Sequence, residues 1–347
     1  MRRALAAAVL LAAAPARALQ SNVGTAAAEF LTVGAGARSL GMGGAYTAIA
    51  EGPEAIYWNP AGLAATSAPE ATYSLTQLPA SLTHSYAAVS APVSWLAGDV
   101  GFAFTELSQP SLDLVTASNQ TVGSFSPHSE AYSLAYAHRF RLDGSSEAPL
   151  RLDREWSLPG AERPMNDDAS SGMSLPSITG TLDAGLAVKL VDENLGTRSA
   201  SAFAVDAGAA LRPQFLEDLT LGAAVRNLGG KLNFIDEAEP LPAEIGVSAA
   251  YTIRGEGWRL LPALDVSLPY AGNPYAKLGV EISRALGERT AASIRLGYTT
   301  QPAVDLGVIS GLTAGVGLHV NKFFFDAAFE PMSSLGDVYR LSAAWRF

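Results

Sequence analysis

The chain has 347 residues, with 23 Lys plus Arg against 33 Asp plus Glu, a formal net charge of -10, 33 Gly, 20 Pro, four His and no Cys. Charged residues make up 16% and apolar residues 48%, so the chain carries less charge than the roughly 25% of a soluble domain yet is too polar for a bundle of membrane helices. The acidic balance and scattered cations exclude a nucleic-acid binder, and the absence of Cys excludes disulfide scaffolds, thiolate-bound zinc, iron–sulfur clusters and thiol catalysis.

In chain order, Arg2 and Arg3 precede the apolar run Ala4 to Ala14, and Ala16-Arg17-Ala18 has the small-x-small form of a cleavage site. Residues 1–18 are expected to be a secretory signal peptide; about a dozen apolar residues fall short of the ~20 that a spanning helix needs. Gly24 to Gly62 follows, a segment in which small residues alternate with single bulky ones. Its Gly34-x-Gly36-x-x-Ser39 lacks the third glycine of a dinucleotide loop, and no strand–helix–strand unit follows. The pattern suits a chain threading a crowded barrel mouth, where backbones approach closely.

From about residue 70 the dominant signal is period two, which marks strands. Glu244 to Arg254 shows it well: Ile245, Val247, Ala249, Tyr251 and Ile253 oppose Glu244, Gly246, Ser248, Ala250, Thr252 and Arg254. Strands are expected near 70–77, 82–92, 98–107, 130–140, 180–191, 201–212, 218–228, 242–254, 258–267, 274–284, 290–300, 310–320, 322–330 and 338–347, about fourteen in all. The polar face separates a soluble sandwich from a barrel. It is mostly Gly, Ala and Ser with isolated charges of both signs, as in a barrel interior where charges pair across the lumen. Asp183, Lys189, Asp206, Arg226, Glu244, Arg254, Asp265, Lys277, Glu281, Arg295, Asp326 and Arg340 are the expected lumen charges. The fold class is therefore all-β: a transmembrane antiparallel up-and-down barrel over residues 67–347.

With an even strand number and both ends in the periplasm, the short turns at 255–257, 285–289 and 321–322 fall on the periplasmic side, and the longer connections 108–129 and 229–241 on the extracellular side. The connection 141–179, rich in Ser, Pro, Asp and Arg, is long yet falls on the periplasmic side, and is expected to be a disordered insertion. The last segment, Val338 to Phe347, alternates Tyr339, Leu341, Ala343, Trp345 and Phe347 with Arg340, Ser342 and Arg346. Trp345 and the terminal Phe347 resemble the signal by which outer-membrane barrels are handed to their assembly machinery.

Two motifs carry a family resemblance. Gly-Ala-Arg-x-Leu-Gly-Met-Gly-Gly-Ala (Gly36 to Ala45) and Tyr-Trp-Asn-Pro-Ala-Gly (Tyr57 to Gly62) resemble the PorV/PorQ family, barrels related to the FadL long-chain fatty acid transporters. Val225 to Phe234, Leu241-Pro242 and Gly185-x-x-x-Lys189 resemble the same family; the 141–179 insertion departs from it. The resemblance implies fourteen strands, an N-terminal hatch over residues 19–66 in which Asn59, Pro60 and Ala61 fix the chain while Gly41, Gly43 and Gly44 allow close packing, and a role in type IX-like secretion.

The expected function is a non-enzymatic outer-membrane barrel bound to lipid, with the barrel-assembly machinery, a secretion translocon and cargo proteins as partners, and no nucleic acid, cofactor or metal. The alternative is a FadL-like channel for hydrophobic small molecules. An enzyme needs a nucleophile and base aligned near one rim, whereas His84, His128, His138 and His319 each stand without a partner motif.

Overall fold

The computed structural model describes residues 26–142, 179–196, 198–234, 238–301 and 307–347; the signal peptide and nearly all of 141–179 lie outside them. Every segment with period-two alternation is a strand. In chain order they are β1 (Glu70–Gln77), β2 (Thr83–Val93), β3 (Gly98–Ser108), β4 (His128–Leu142), β5 (Gly180–Asn194), β6 (Ser199–Pro213), β7 (Leu219–Gly229), β8 (Glu244–Tyr251), β9 (Trp258–Pro269), β10 (Tyr275–Gly287), β11 (Thr290–Thr299), β12 (Leu312–Val320), β13 (Phe323–Pro331) and β14 (Asp337–Arg346). Each pairs antiparallel with its sequence neighbour, and β14 pairs with β1 from Glu70 opposite Arg346 to Gln77 opposite Tyr339. The fourteen strands thus close a ring without an edge.

The alternation sorts side chains between two solvents. On β8, Glu244, Gly246, Ser248 and Ala250 are turned inward and buried, whereas Ile245 and Val247 stand 46% and 53% exposed on the outside. Leu186, Val188, Leu278, Ile282, Ile294, Leu296, Val316 and Leu341 continue this outer apolar surface around the ring. A soluble protein does not leave such a band to water. A closed ladder satisfies every wall N–H and C=O internally, which hydrocarbon requires, so the ring is a membrane-spanning barrel of outer-membrane type.

Glu70 and Phe347 mark one rim, here the inner rim; the tight turns at 256–257, 288–289 and 321–322 share it. The opposite, outer rim carries the two longer connections, each with a small hairpin: Leu112–Val115 with Thr121–Phe125, and Lys231–Asn233 with Ala238–Pro240. Leu142 and Gly180, the flanks of the undescribed connection, face each other at the inner rim. Arg254 is a correction to the sequence reading. β8 breaks at Thr252, and Ile253–Gly255 continues only as a short ribbon on β9 beyond the rim. There Arg254 is 67% exposed and pairs with Asp218 outside the lumen.

Residues 26–69 fill the barrel. They form short turns of 3-10 helix at Glu29–Thr32, Gly52–Glu54 and Pro60–Ala65 and two short helices, α1 (Ala37–Gly41) and α2 (Ala55–Trp58). The hydrophobic core therefore lies inside the ring: Ile56, Tyr57, Trp58 and Leu63 pack on Tyr86, Ala88, Ala103, Ala135, Ala137 and Ala187 of the wall. Wall alanines leave the volume that these larger hatch side chains occupy.

The two faces of β11 should respond oppositely to charge. Ile294→Arg puts a cation on the lipid face, at a cost of about 2–4 kcal/mol near the midplane, and is expected to abolish the heat-modifiable folded band on gels. Ser293→Arg, on the inward face beside an internal chamber, is expected to keep that band.

Candidate functional site

The hatch is seated where the wall has no side chains. A Cβ added to Gly185 would overlap the Pro60 carbonyl, one on Gly208 would overlap Asn59 Oδ1, and one on Gly297 would overlap the Gly43 nitrogen. Gly41 lies against Gly315 across the same gap. Gly43 and Gly44 also hold φ of +63° and +76°, a region that side chains disfavour, so the chain can reverse tightly against the wall.

Polar atoms fix the hatch at a few points. Asn59 precedes the Pro60–Ala65 turn, and its Oδ1 accepts from the Ala61 N–H at 3.2 Å. Its Nδ2 donates to the Thr47 carbonyl at 2.9 Å and the Ala209 carbonyl at 3.2 Å, tying two stretches of the hatch to β6. Pro60 and Ala61 are buried beneath it. The Tyr46 and Thr47 N–H groups donate to Asp265 at 3.2 and 2.9 Å, and the other Asp265 oxygen accepts from the Ser248 hydroxyl. Arg340 of β14 donates to Thr76 Oγ1 at 2.7 Å and to the Val33 and Gly36 carbonyls at 2.8 and 3.3 Å.

The remaining expected lumen charges lie inside in paired groups. Asp183 accepts from Arg139 and Arg212 at 2.6 and 2.5 Å. Lys189 bridges Asp206 at 2.6 Å and Asn227 Oδ1 at 2.8 Å. Arg226 meets Glu244 at 2.7 Å, with Lys277 at 3.7 Å from the same carboxylate. Glu281 is held by Arg38, Arg259 and Arg295, and Arg295 reaches on to Asp326 at 2.5 Å. Sequence reasoning missed Arg38, whose signal was a lone cation in an apolar glycine-rich stretch. It also missed Asn227, which turns inward beside Arg226 because φ of +56° and a bulge between Val205 and Ala207 break the alternation. Trp345 and Phe347 face outward at the inner rim, with rings 4.0 Å apart and Phe323 stacked 6.1 Å from Trp345, as in an interfacial aromatic girdle.

The hatch leaves two chambers. The outer one, about 450 Å³, has Leu31, Leu40, Tyr57, Trp58, Met332 and Leu335 among its walls, together with the Arg226, Glu244 and Lys277 group, Thr299, Thr313, Glu330 and Arg340. Arg226 and Lys277 lie over the Trp58 ring at 5.1 and 5.5 Å, so their cations meet an aromatic face. The inner chamber, about 330 Å³, is lined by charge: Arg38, Glu54, Glu281, Arg295, Asp326 and Arg346. Of the outer connection 229–241, Leu232 and Leu241 turn inward and are buried with Phe30 and Leu31 of the hatch.

No protein-family model matches the chain, and no curated protein matches it. Among solved structures it is similar to a FadL homologue from Pseudomonas aeruginosa, at 11% identity over 90% of this chain and 98% of that one with a TM-score of 0.50. It is similar as well to the toluene transporter TodX of Pseudomonas putida, at 11% identity over 90% of this chain and 96% of that one, again with a TM-score of 0.50. The likeness is one of fold: a closed fourteen-stranded antiparallel barrel with short helices in its N-terminal segment.

Asn59→Leu keeps the volume of the side chain but strands the Thr47 and Ala209 carbonyls and the Ala61 N–H, at about 1–3 kcal/mol for each buried group left unpaired. The expected outcome is a folded barrel whose hatch is cut by protease at concentrations that leave the parent intact.

Proposed function

We propose that this protein is a non-enzymatic outer-membrane channel that admits hydrophobic small molecules from outside the cell. The observation that carries the reading is the outer chamber. Its volume falls in the 300–1,000 Å³ range of small-molecule sites, and it sets an apolar and aromatic hatch surface of Leu31, Leu40, Tyr57 and Trp58 against a polar wall. The chamber opens at the rim of the long connections and is floored by the hatch. The toluene transporter with the same fold at 11% identity supports the class of solute without specifying it.

Charges that line this chamber are engaged: Arg226 and Lys277 share Glu244, and Arg340 is bonded to Thr76 and the Val33 and Gly36 carbonyls. Asp183, Lys189, Asp206, Glu281 and Arg295 are satisfied by one another or by wall partners, and Asp183 and Asp206 are completely buried. A solute in the outer chamber meets Leu31, Leu40, Tyr57 and Trp58 on the hatch side, and Arg226, Glu244, Lys277, Thr299, Thr313 and Arg340 on the wall side.

A protein-binding role in secretion is the second reading, favoured by the outer hairpin, where Leu112, Leu114, Val115 and Val122 are exposed beyond the strands that reach into lipid. A translocon or cargo protein would cover them.

Calorimetric titration of the detergent-solubilised protein with toluene and with a long-chain fatty acid is expected to give saturable binding, and Leu40→Asp, at the chamber wall, is expected to weaken it at least tenfold. Equal binding by parent and variant, with unchanged uptake of both compounds in a deletion strain, would sink the channel reading. Co-purification with a secretion complex that is lost on Leu114→Asp would then establish the second.

A further inference from the structure

The two chambers approach each other along one stretch of wall. On β10, β11 and β12 the outer chamber ends at Lys277, Thr299 and Thr313, and the inner one begins at Glu281, Arg295 and Gly317. Each pair is four residues apart on its strand, about 13 Å at the rise of an extended chain. The inward position midway between them is glycine on all three strands: Gly279, Gly297 and Gly315. Against those glycines lie Met42, Gly43 and Gly41. A single layer of hatch backbone therefore separates the chambers, and Leu40, Gly43 and Gly44 face one while Arg38 and Tyr46 face the other.

The wall offers no way around that layer. Each neighbouring pair of strands is laddered, and only two registers slip. The slip at Val205 and Ala207 is filled by Asn227, whose N–H donates to Asp206 at 2.7 Å. The slip at Ala285 and Gly287 lies at the inner rim. Among the described residues, a solute leaving the outer chamber for the inner one must displace the Met42 layer.

That layer is anchored by charged wall groups at both ends. Arg340 holds the Val33 and Gly36 carbonyls on one side, and Asp265 holds the Tyr46 and Thr47 N–H groups on the other. In between, the Ala37 N–H donates to Ser342 Oγ at 3.1 Å, the Gly41 carbonyl accepts from Thr313 Oγ1 at 3.4 Å, and one charged side chain ties the layer to the wall: Arg38, paired with Glu281 at 2.8 and 3.1 Å. Gly36, Gly43 and Gly44 stand at positive φ within the segment and can change conformation where other residues could not. The rest of the hatch is fixed separately, through Asn59 and through Trp58, which donates to the Ala35 carbonyl at 2.8 Å.

We infer that residues 37–45 are a gate in their own right, latched by Arg38 on Glu281, and that solute passes axially between the chambers while the remainder of the hatch stays seated. The inference rests on the channel reading for the kind of solute; the gate itself is read with ions, so the two fail separately.

The test is the conductance of the purified full-length protein in a planar lipid bilayer with potassium chloride. Arg38→Met leaves Glu281 paired with Arg259 and Arg295, and is expected to raise the open probability at least tenfold over the parent. Adding Ala37→Cys and Ser342→Cys, at positions where the Ala37 N–H meets Ser342 Oγ at 3.1 Å, introduces the only thiols in the chain. Oxidation should pin α1 to β14 and return conductance to the parental level, and a reductant should restore it. Heat-modifiable migration checks that each variant is folded. Parental conductance in a folded Arg38→Met variant overturns the inference, as does current that persists after the disulfide has formed. Latch-dependent conductance without binding of apolar solutes would leave the gate standing and remove the channel reading instead.

Discussion

Closure of the backbone ladder is the constraint on which the rest of the structure depends. An apolar exterior forbids unpaired N–H and C=O groups in the wall, so β14 must return to β1, and once it does, alternation gives the molecule one apolar outside and one polar inside. Everything chemically distinctive is then confined to the lumen. The hatch, the charge groups and both chambers are answers to the question of how to fill that enclosed space.

The filling is economical in side-chain volume. The wall contributes Gly and Ala where the hatch lies closest, at Gly185, Gly208, Gly297, Ala103 and Ala135, and the hatch contributes Tyr57, Trp58 and Ile56. Charges enter as pairs because an unpaired ion in such surroundings is costly. Replacing a buried pair by apolar side chains is often neutral for stability, so the groups around Asp183, Asp206, Glu244 and Glu281 are better understood as setting position. They tie non-adjacent strands and the hatch to one another at defined points, with Arg38 and Asp265 joining hatch to wall directly.

The strands were legible in the sequence because two solvents impose the period. Ile245 and Val247 meet lipid while Gly246 and Ser248 meet the lumen, and that demand is written residue by residue. The same logic located most of the lumen charges. It misplaced Arg254, since the alternation runs on past the break at Thr252 where the chain has already left the barrel, and it overlooked Asn227, since a bulge puts two consecutive residues on one face. The hatch was legible as an unusual segment and no further. Its conformation is decided by contacts with wall positions 100 to 300 residues away, such as Asn59 with Ala209 and Ala37 with Ser342, and no local propensity encodes them. Arg38 gave one cue, its isolation, without its partner.

Arg340 and Ser342 connect the hatch to the strand that seals the ring. Both lie on β14, both bond hatch backbone at Val33, Gly36 and Ala37, and the same strand ends in Trp345 and Phe347. An ill-placed hatch would leave the Arg340 guanidinium without the Val33 and Gly36 carbonyls that receive it. The strand that seals the ring thus also bears the cost of a misplaced filling, so closure and content are coupled through one strand.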